Sequence, residues 1–311
     1  MAAGAQSRRD KLTLLLPERL AAFGLWVEQL VAESTGKGGT GVVPITGESA
    51  DASAGADRVV VAITVGGEGP DPAAIQRAER AGVPVAELHM PDARALGAEF
   101  LRWEVATAAA GVLLRINPFD EPNVQQAKDA TRALLEAYTR DGRLPFAEAH
   151  AAVGGVRLTL SAAAQHELAG ADPQRFLNVA GAGDYIGILV YLPPDEPATE
   201  SLLRAFRDDL AIRKGCATML GYGPRYLHST GQLHKGGPNN GVFVVVTAEP
   251  ADDLPIPGEP FSFGVLEMAQ AVGDFESLDR AGRRALHVAL PRRDPELLRS
   301  VLATLSSRSQ P

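Results

Sequence analysis

The chain has 311 residues, 45% of them hydrophobic, and a formal net charge of −8. That length holds one large domain or two ordinary ones around a buried core, and the acidic balance, with no basic block anywhere, argues against nucleic acid as a partner. One cysteine, Cys216, excludes an internal disulfide and a multi-cysteine metal site and fits a cytoplasmic location, while no apolar run reaches the roughly 18 residues that would place the chain in a membrane.

Residues 1–19 read as a frayed N-terminal tail, with charges and a short apolar patch but no small-residue cleavage pattern. Residues 20–141 form a first α/β region. Its opening helix starts at Pro17-Glu18-Arg19-Leu20 and repeats Leu20, Phe23, Val27, Leu30 and Val31 at helical spacing. Gln29 and Glu33, at i and i+4, lie on one face of it, and Ser34-Thr35-Gly36-Lys37-Gly38-Gly39 stops it. Val42–Ile45 reads as a short extended segment. Arg58–Val65 is a near-continuous apolar run, as a strand buried on both faces requires. A helix over 70–81, with Ala73, Ile75 and Ala78 inward, and a strand from Pro84 to Leu88 complete a strand, helix, strand alternation that implies a parallel sheet. A long helix with Trp103 runs from Ala95 to Ile116, and another begins at Pro122 or Asn123 and runs through Tyr138.

Residues 142–173 read as a small insertion or link, holding a half-exposed strand at Val156–Leu160 and a helix at 161–168. Residues 174–311 form a C-terminal α/β region with a buried strand from Tyr185 to Leu192, a helix over 200–214 and strands at 218–222 and 241–247. Helical segments at 263–272 and 276–280, a strand at 284–290 and a last helix opened by Asp294-Pro295 follow. No repeat of solenoid period occurs.

Two polar stretches invite a chemical reading. Glu33 ends a helix beside a glycine turn, where it is either a solvated residue next to a cap or, if shielded, a general base. His228-Ser229-Thr230-Gly231-Gln232, between an amphipathic segment and an apolar strand, is either a surface turn or a cradle for phosphate or sugar hydroxyls. His228 and His234 are six apart, which does not put them on one helical face and disfavours zinc. Gly66-Gly67-Glu68-Gly69 lacks the spacing of a dinucleotide fingerprint and reads as a tight turn. His89, His150, His166 and His287 read as structural or exposed, and Cys216 as a small buried hydrophobe.

The pieces FGLWVEQLVAESTGKGGTGVVPI, GAEFLRWEVATAAAGVLLRINPFDEPNVQQAKD and ATMLGYGPRYLHSTGQLHKGGPNNGVF together resemble glucose-6-phosphate isomerase, above all the isomerase part of bacterial proteins in which transaldolase and phosphoglucose isomerase are fused. The resemblance spans residues 20–305. It implies an α/β fold of the SIS type, a parallel sheet flanked by helices on both faces, and interconversion of glucose 6-phosphate and fructose 6-phosphate with no metal or organic cofactor. It also implies roles for single residues. Glu33 would be the base that moves a proton between C2 and C1 through a cis-enediol, Gln29 would contact the substrate, and His228 would assist ring opening. Ser34, Thr35, Gly36, Lys37, Ser229 and Gln232 would be the accompanying substrate-binding residues. In this family the histidine reaches the site from a neighbouring subunit, which implies a homodimer.

Two departures stand beside that resemblance. The family has two SIS lobes, and the part preceding Glu33 here holds no Ser/Thr-rich phosphate loop, so a partner chain supplying a first lobe is the corresponding expectation. The family also places a lysine in its C-terminal helix. Here that helix is FSFGVLEMAQAVGD, with Glu267 or Ala269 near the expected place, and no lysine follows Lys235. The alternative expectation is therefore a non-catalytic module that binds sugar phosphate or serves assembly.

Overall fold

A computed structural model describes residues 1–49, 52, 55–120, 122, 124–250 and 252–307. The protein is α/β, with a four-stranded and a six-stranded sheet. Two compact units divide the chain. The first comprises Met1–Pro122, Ala211–Met219 and His228–Pro238, and the second Asn123–Leu210, Leu220–Leu227 and Asn239–Pro311. This division crosses the chain several times and differs from the contiguous regions read from the sequence.

Residues 1–19 are not a tail. They form α1 (Ala2–Gln6) and β1 (Lys11–Leu15), and β1 is an inner strand with all five residues buried. Its charged member Lys11 places its ammonium 2.8 Å from Asp10 and 3.2 Å from Asp57, so the charge is buried in company. α2 (Ala21–Thr35), β2 (Val43–Ile45), β3 (Arg58–Val65), α3 (Pro72–Arg80), β4 (Val85–Met90) and α4 (Leu96–Leu114) follow. The sheet order is β2-β1-β3-β4, parallel throughout.

Alternation along the strands divides this core. Leu12, Leu14, Val61, Ile63 and Val65 meet Phe23, Val27 and Val31 of α2 and Trp103 of α4. Val60 and Ala62 turn the other way, onto Ala74 and Ala78 of α3. The apolar run of β3 is thus a strand covered on both faces. Asp71 caps α3 by accepting from the Ala73 amide at 2.9 Å. That cap starts the helix at Pro72, which puts Ala74 inward and leaves Ala73 exposed, contrary to the sequence reading.

The second unit holds α5 (Val124–Asp141), β5 (Ala151–Val153), β6 (Val156–Leu160), α6 (Ala162–Leu168), β7 (Tyr185–Tyr191) and most of α7 (Pro197–Lys214). The last turns of α7 and the start of β8 (Ala217–Tyr222) belong to the first unit, as does α8 (Gly231–Gly236). β9 (Gly241–Ala248), α9 (Phe263–Arg280), β10 (Arg284–Leu290) and α10 (Pro295–Ser306) complete the second unit. Of the two starts expected for α5, Asn123 lies outside the described residues.

The six-stranded sheet has the order β5-β6-β10-β9-β7-β8. β7, β9 and β10 are parallel, whereas β6 is antiparallel to β10 and to β5. The stretch 142–173 is therefore no insertion or link: its two strands form the antiparallel edge of this sheet. The two helical segments read at 263–272 and 276–280 are one helix, α9. Gly273 and Asp274, which look like a break in sequence, lie in its middle. A Cβ on Gly273 would stand 3.2 Å from the Thr131 amide nitrogen, so the glycine lets α5 lie close against α9.

Candidate functional site

The end of α2 presents the Gln29 and Glu33 pair. Gln29 is exposed and donates from its amide to Glu33 Oε2 at 3.3 Å, while Glu33 and Ser34 are half-buried. The next residues face inward. The Thr35 hydroxyl donates to the Val31 carbonyl at 2.7 Å and accepts from the Val42 amide at 3.0 Å, which ties the helix end to the strand that follows. Lys37 is buried and donates to the Asp120 carbonyl and, at 3.0 Å, to its carboxylate. Asp120 is held below the usual carboxylate range by the hydrogen bond from Lys37. Gly38 and Gly39 take φ of 63° and 76°, the left-handed region that lets the chain reverse.

The second predicted stretch arrives from 196 residues away in sequence. The chain makes a 3₁₀ turn at Arg225–His228 and enters α8 at Gly231. His228 is exposed, and Ser229 and Thr230 just after it are buried. α8 packs on the end of α2. The Gln232 side chain donates to the Gly36 carbonyl at 2.8 Å, and the Gly39 amide donates to the Gly236 carbonyl at 2.9 Å. Gly36 has to be glycine for this approach, because a Cβ there would stand 2.4 Å from Leu233 Cα.

The first unit therefore brings the two predicted segments together. Of the nine side chains singled out from the sequence, Gln29, Glu33, Ser34 and His228 reach the surface. Thr35, Gly36, Lys37, Ser229 and Gln232 are buried; Gly36 and Gln232 hold the two segments together, whereas Thr35 bonds Val31 and Val42 and Lys37 bonds Asp120.

Sequence reasoning missed a second feature, within the second unit. A cleft of about 410 Å³ is lined by the residues that follow β9 and β10, among them Pro250, Asp253 and Arg293, and by Phe263, Glu267 and Gln270 of α9. Crevices at the carboxyl ends of parallel strands are where open α/β sheets receive ligands. Arg293 lies 3.9 Å from Glu267. Burial raises the Glu267 carboxyl above its ordinary range, Arg293 opposes the rise and Asp253 adds to it. The Asp253 carboxylate is committed to the start of α9, accepting from the Ser262 hydroxyl and, at 2.8 Å, from the Gly264 amide. The 263, 267, 270 spacing on one helix face is the signal that would have found this wall; Arg293 has none, since it joins the cleft only through the return of β10. Among the described residues no group of three His, Cys, Asp or Glu side chains is placed to hold a metal ion, and no helix is long and apolar enough to cross a membrane.

No family model and no curated protein matches the chain. Among solved structures it is similar to the hypothetical protein TT0462 from Thermus thermophilus, at 15% sequence identity and a TM-score of 0.35, over 98% of this chain and 80% of that one.

Proposed function

We propose that this protein is a sugar-phosphate aldose–ketose isomerase of the glucose-6-phosphate isomerase type. The observation that carries the reading is the packing of α8 on the end of α2: the segment holding Glu33 and the segment holding His228 are bonded to each other through Gln232 and Gly36. A site with both a base and a second acid/base group is what aldose–ketose isomerisation of a cyclic sugar needs. His228 would shuttle a proton between the C1 hydroxyl and the ring oxygen, breaking the C1–O5 bond. Glu33 would then take the C2 proton; the C2–H pair would form the C1–C2 double bond while the C1=O1 pair moves onto O1, which takes up a proton to give the cis-enediol, and the same carboxyl would return its proton to C1 as the O2 hydroxyl gives up its proton and the C2=O2 bond forms. The C2–H bond is weakly acidic, so the base must be held in place; the Gln29 amide on Glu33 Oε2 does this. The working assembly would be a homodimer or a complex with a partner chain supplying a first SIS lobe, in the cytoplasm.

The test is Glu33→Gln, with conversion of glucose 6-phosphate followed by coupled detection of fructose 6-phosphate. A positioned general base contributes about 10²- to 10⁴-fold, so turnover should fall by at least that much, and unchanged turnover would reject Glu33 as the base. One observation favours a second reading, a non-catalytic module that binds sugar phosphate: Glu267, not a lysine, lines the cleft on α9. Saturable binding of fructose 6-phosphate by calorimetry with no turnover of either sugar in wild type would select that reading.

A further inference from the structure

The cleft of the second unit opens where the strand order turns. The chain leaves β7 for β8 on one side and comes back to β9 on the other, and open α/β sheets receive ligands at such points. Its volume of about 410 Å³ lies within the roughly 300–1,000 Å³ of small-molecule sites.

The walls are tied down. The Asp253 carboxylate accepts from the Ser262 hydroxyl and the Gly264 amide, and the Phe263 amide donates to the Leu254 carbonyl at 3.0 Å. A Cβ on Gly264 would stand 2.7 Å from Pro250 Cγ, so the glycine lets the loop after β9 close on the start of α9. Further along α9, Asp274 accepts from the buried Tyr226 hydroxyl at 2.6 Å, which fixes the helix to the segment that Pro224 opens. After β10, Asp294 is occupied by Arg292 and by the amides of Glu296 and Leu297. Arg293, between them, lines the cleft. Among the described residues its one ion pair is with Glu267, at 3.9 Å, too long for a hydrogen bond.

The chemistry of the walls selects a ligand. Arg293 offers a planar fork of donors that suits a carboxylate. Glu267 and Asp252 offer oxygens to a cation, and the lining carries three carboxylates against one guanidinium, which disfavours a dianion. Phe263 and Leu254, 55% and 69% exposed, add apolar surface that a ligand would remove from water. A ligand that covers Arg293 and Glu267 desolvates both charges, so it has to present an opposite charge to each.

We propose that this cleft binds a small zwitterion with an apolar side chain, a free α-amino acid of the leucine or phenylalanine kind. Its carboxylate lies on Arg293, its ammonium on Glu267, and its side chain against Phe263 and Leu254. The site lies wholly within the second unit and stands independently of the isomerase reading.

The experiment is calorimetric titration of the full chain near neutral pH, at two temperatures, with L-phenylalanine and L-leucine. Three compounds each lack one feature: 3-phenylpropionate the ammonium, 2-phenylethylamine the carboxylate, and L-alanine the large apolar side chain. Both amino acids should saturate one site per chain, and each of the three should bind at least about tenfold more weakly. Arg293→Gln and Glu267→Gln should each weaken L-phenylalanine about ten- to a hundredfold, as loss of a charged hydrogen-bond partner does. Both side chains are solvent-accessible, so thermal unfolding should be unchanged; if Arg293→Gln fails to fold, Glu267→Gln decides. No saturable binding of either amino acid up to about 10 mM overturns the proposal. Equal affinity for 3-phenylpropionate or 2-phenylethylamine overturns it too, as does undiminished binding to the folded variants. Turnover of glucose 6-phosphate is measured separately, and its absence bears on the isomerase reading alone.

Discussion

His287 should make the stability of this protein fall steeply in mild acid. It lies on β10 beneath α9, with Nε2 2.9 Å from the Thr247 hydroxyl and the Phe275 ring 5.6 Å away. Burial, and secondarily the nearby Arg157 cation, push its pKa from 6.5 to about 4. The imidazole is thus neutral in the folded protein over a range where the unfolded chain takes up a proton. Its stabilising contribution is complete above pH 6.5 and lost as pH falls through about 4. Between pH 7 and pH 5 the loss from this one group comes to about 2 kcal/mol.

Carboxylates also titrate in that range, so the informative quantity is a difference. Replacing His287 alone would strand the Thr247 hydroxyl, at about 1–3 kcal/mol, and the suitable reference is His287→Leu with Thr247→Val. Urea unfolding of wild type and this double variant at pH 7, 6 and 5 measures the effect. Wild type should lose about 2 kcal/mol more than the variant between the end points. Parallel pH profiles would refute the reasoning and show that the buried imidazole is reached by solvent or by an anionic partner.

Two further substitutions test packing within the first unit. Gly36→Ala puts a methyl group against the Leu233 backbone and should cost about 1–3 kcal/mol in urea unfolding, with a drop in isomerisation, since α8 has to retreat from α2. Full activity and stability would mean the two segments do not need that contact. Glu48→Ala should cost about 3–5 kcal/mol, because it leaves the buried guanidinium of Arg58 without the carboxylate that also accepts from Thr218 at 2.8 and 2.9 Å. Arg58→Met combined with Glu48→Leu should recover most of that loss, and a single variant as stable as wild type would show that water replaces the carboxylate.

Local pattern carried much of the architecture. The apolar run of β3, the helical spacing on α2 and the Asp294-Pro295 start of α10 are each complete within a few residues, so each could be read directly. β1 could not, because Lys11 and Thr13 break its apolar run. They are tolerated only because Asp10 and Asp57 pair with the lysine and the Arg58 guanidinium donates to the threonine hydroxyl at 2.9 Å. α9 was split for a similar reason: Gly273 and Asp274 look like a stop until α5 lies on the glycine and Tyr226 donates to the aspartate.

The candidate site divides the same way. The pairing of Gln29 with Glu33 is a matter of i, i+4 spacing and belongs to the sequence, as does the resemblance carried by the two motifs. That the helix after His228 lies on Gly36 was decided by contacts between residues far apart in the chain. The Arg293 and Glu267 cleft wall has the same origin. Periodicity records which face of an element is buried; it does not record what covers that face, and only the folded chain supplies the partner.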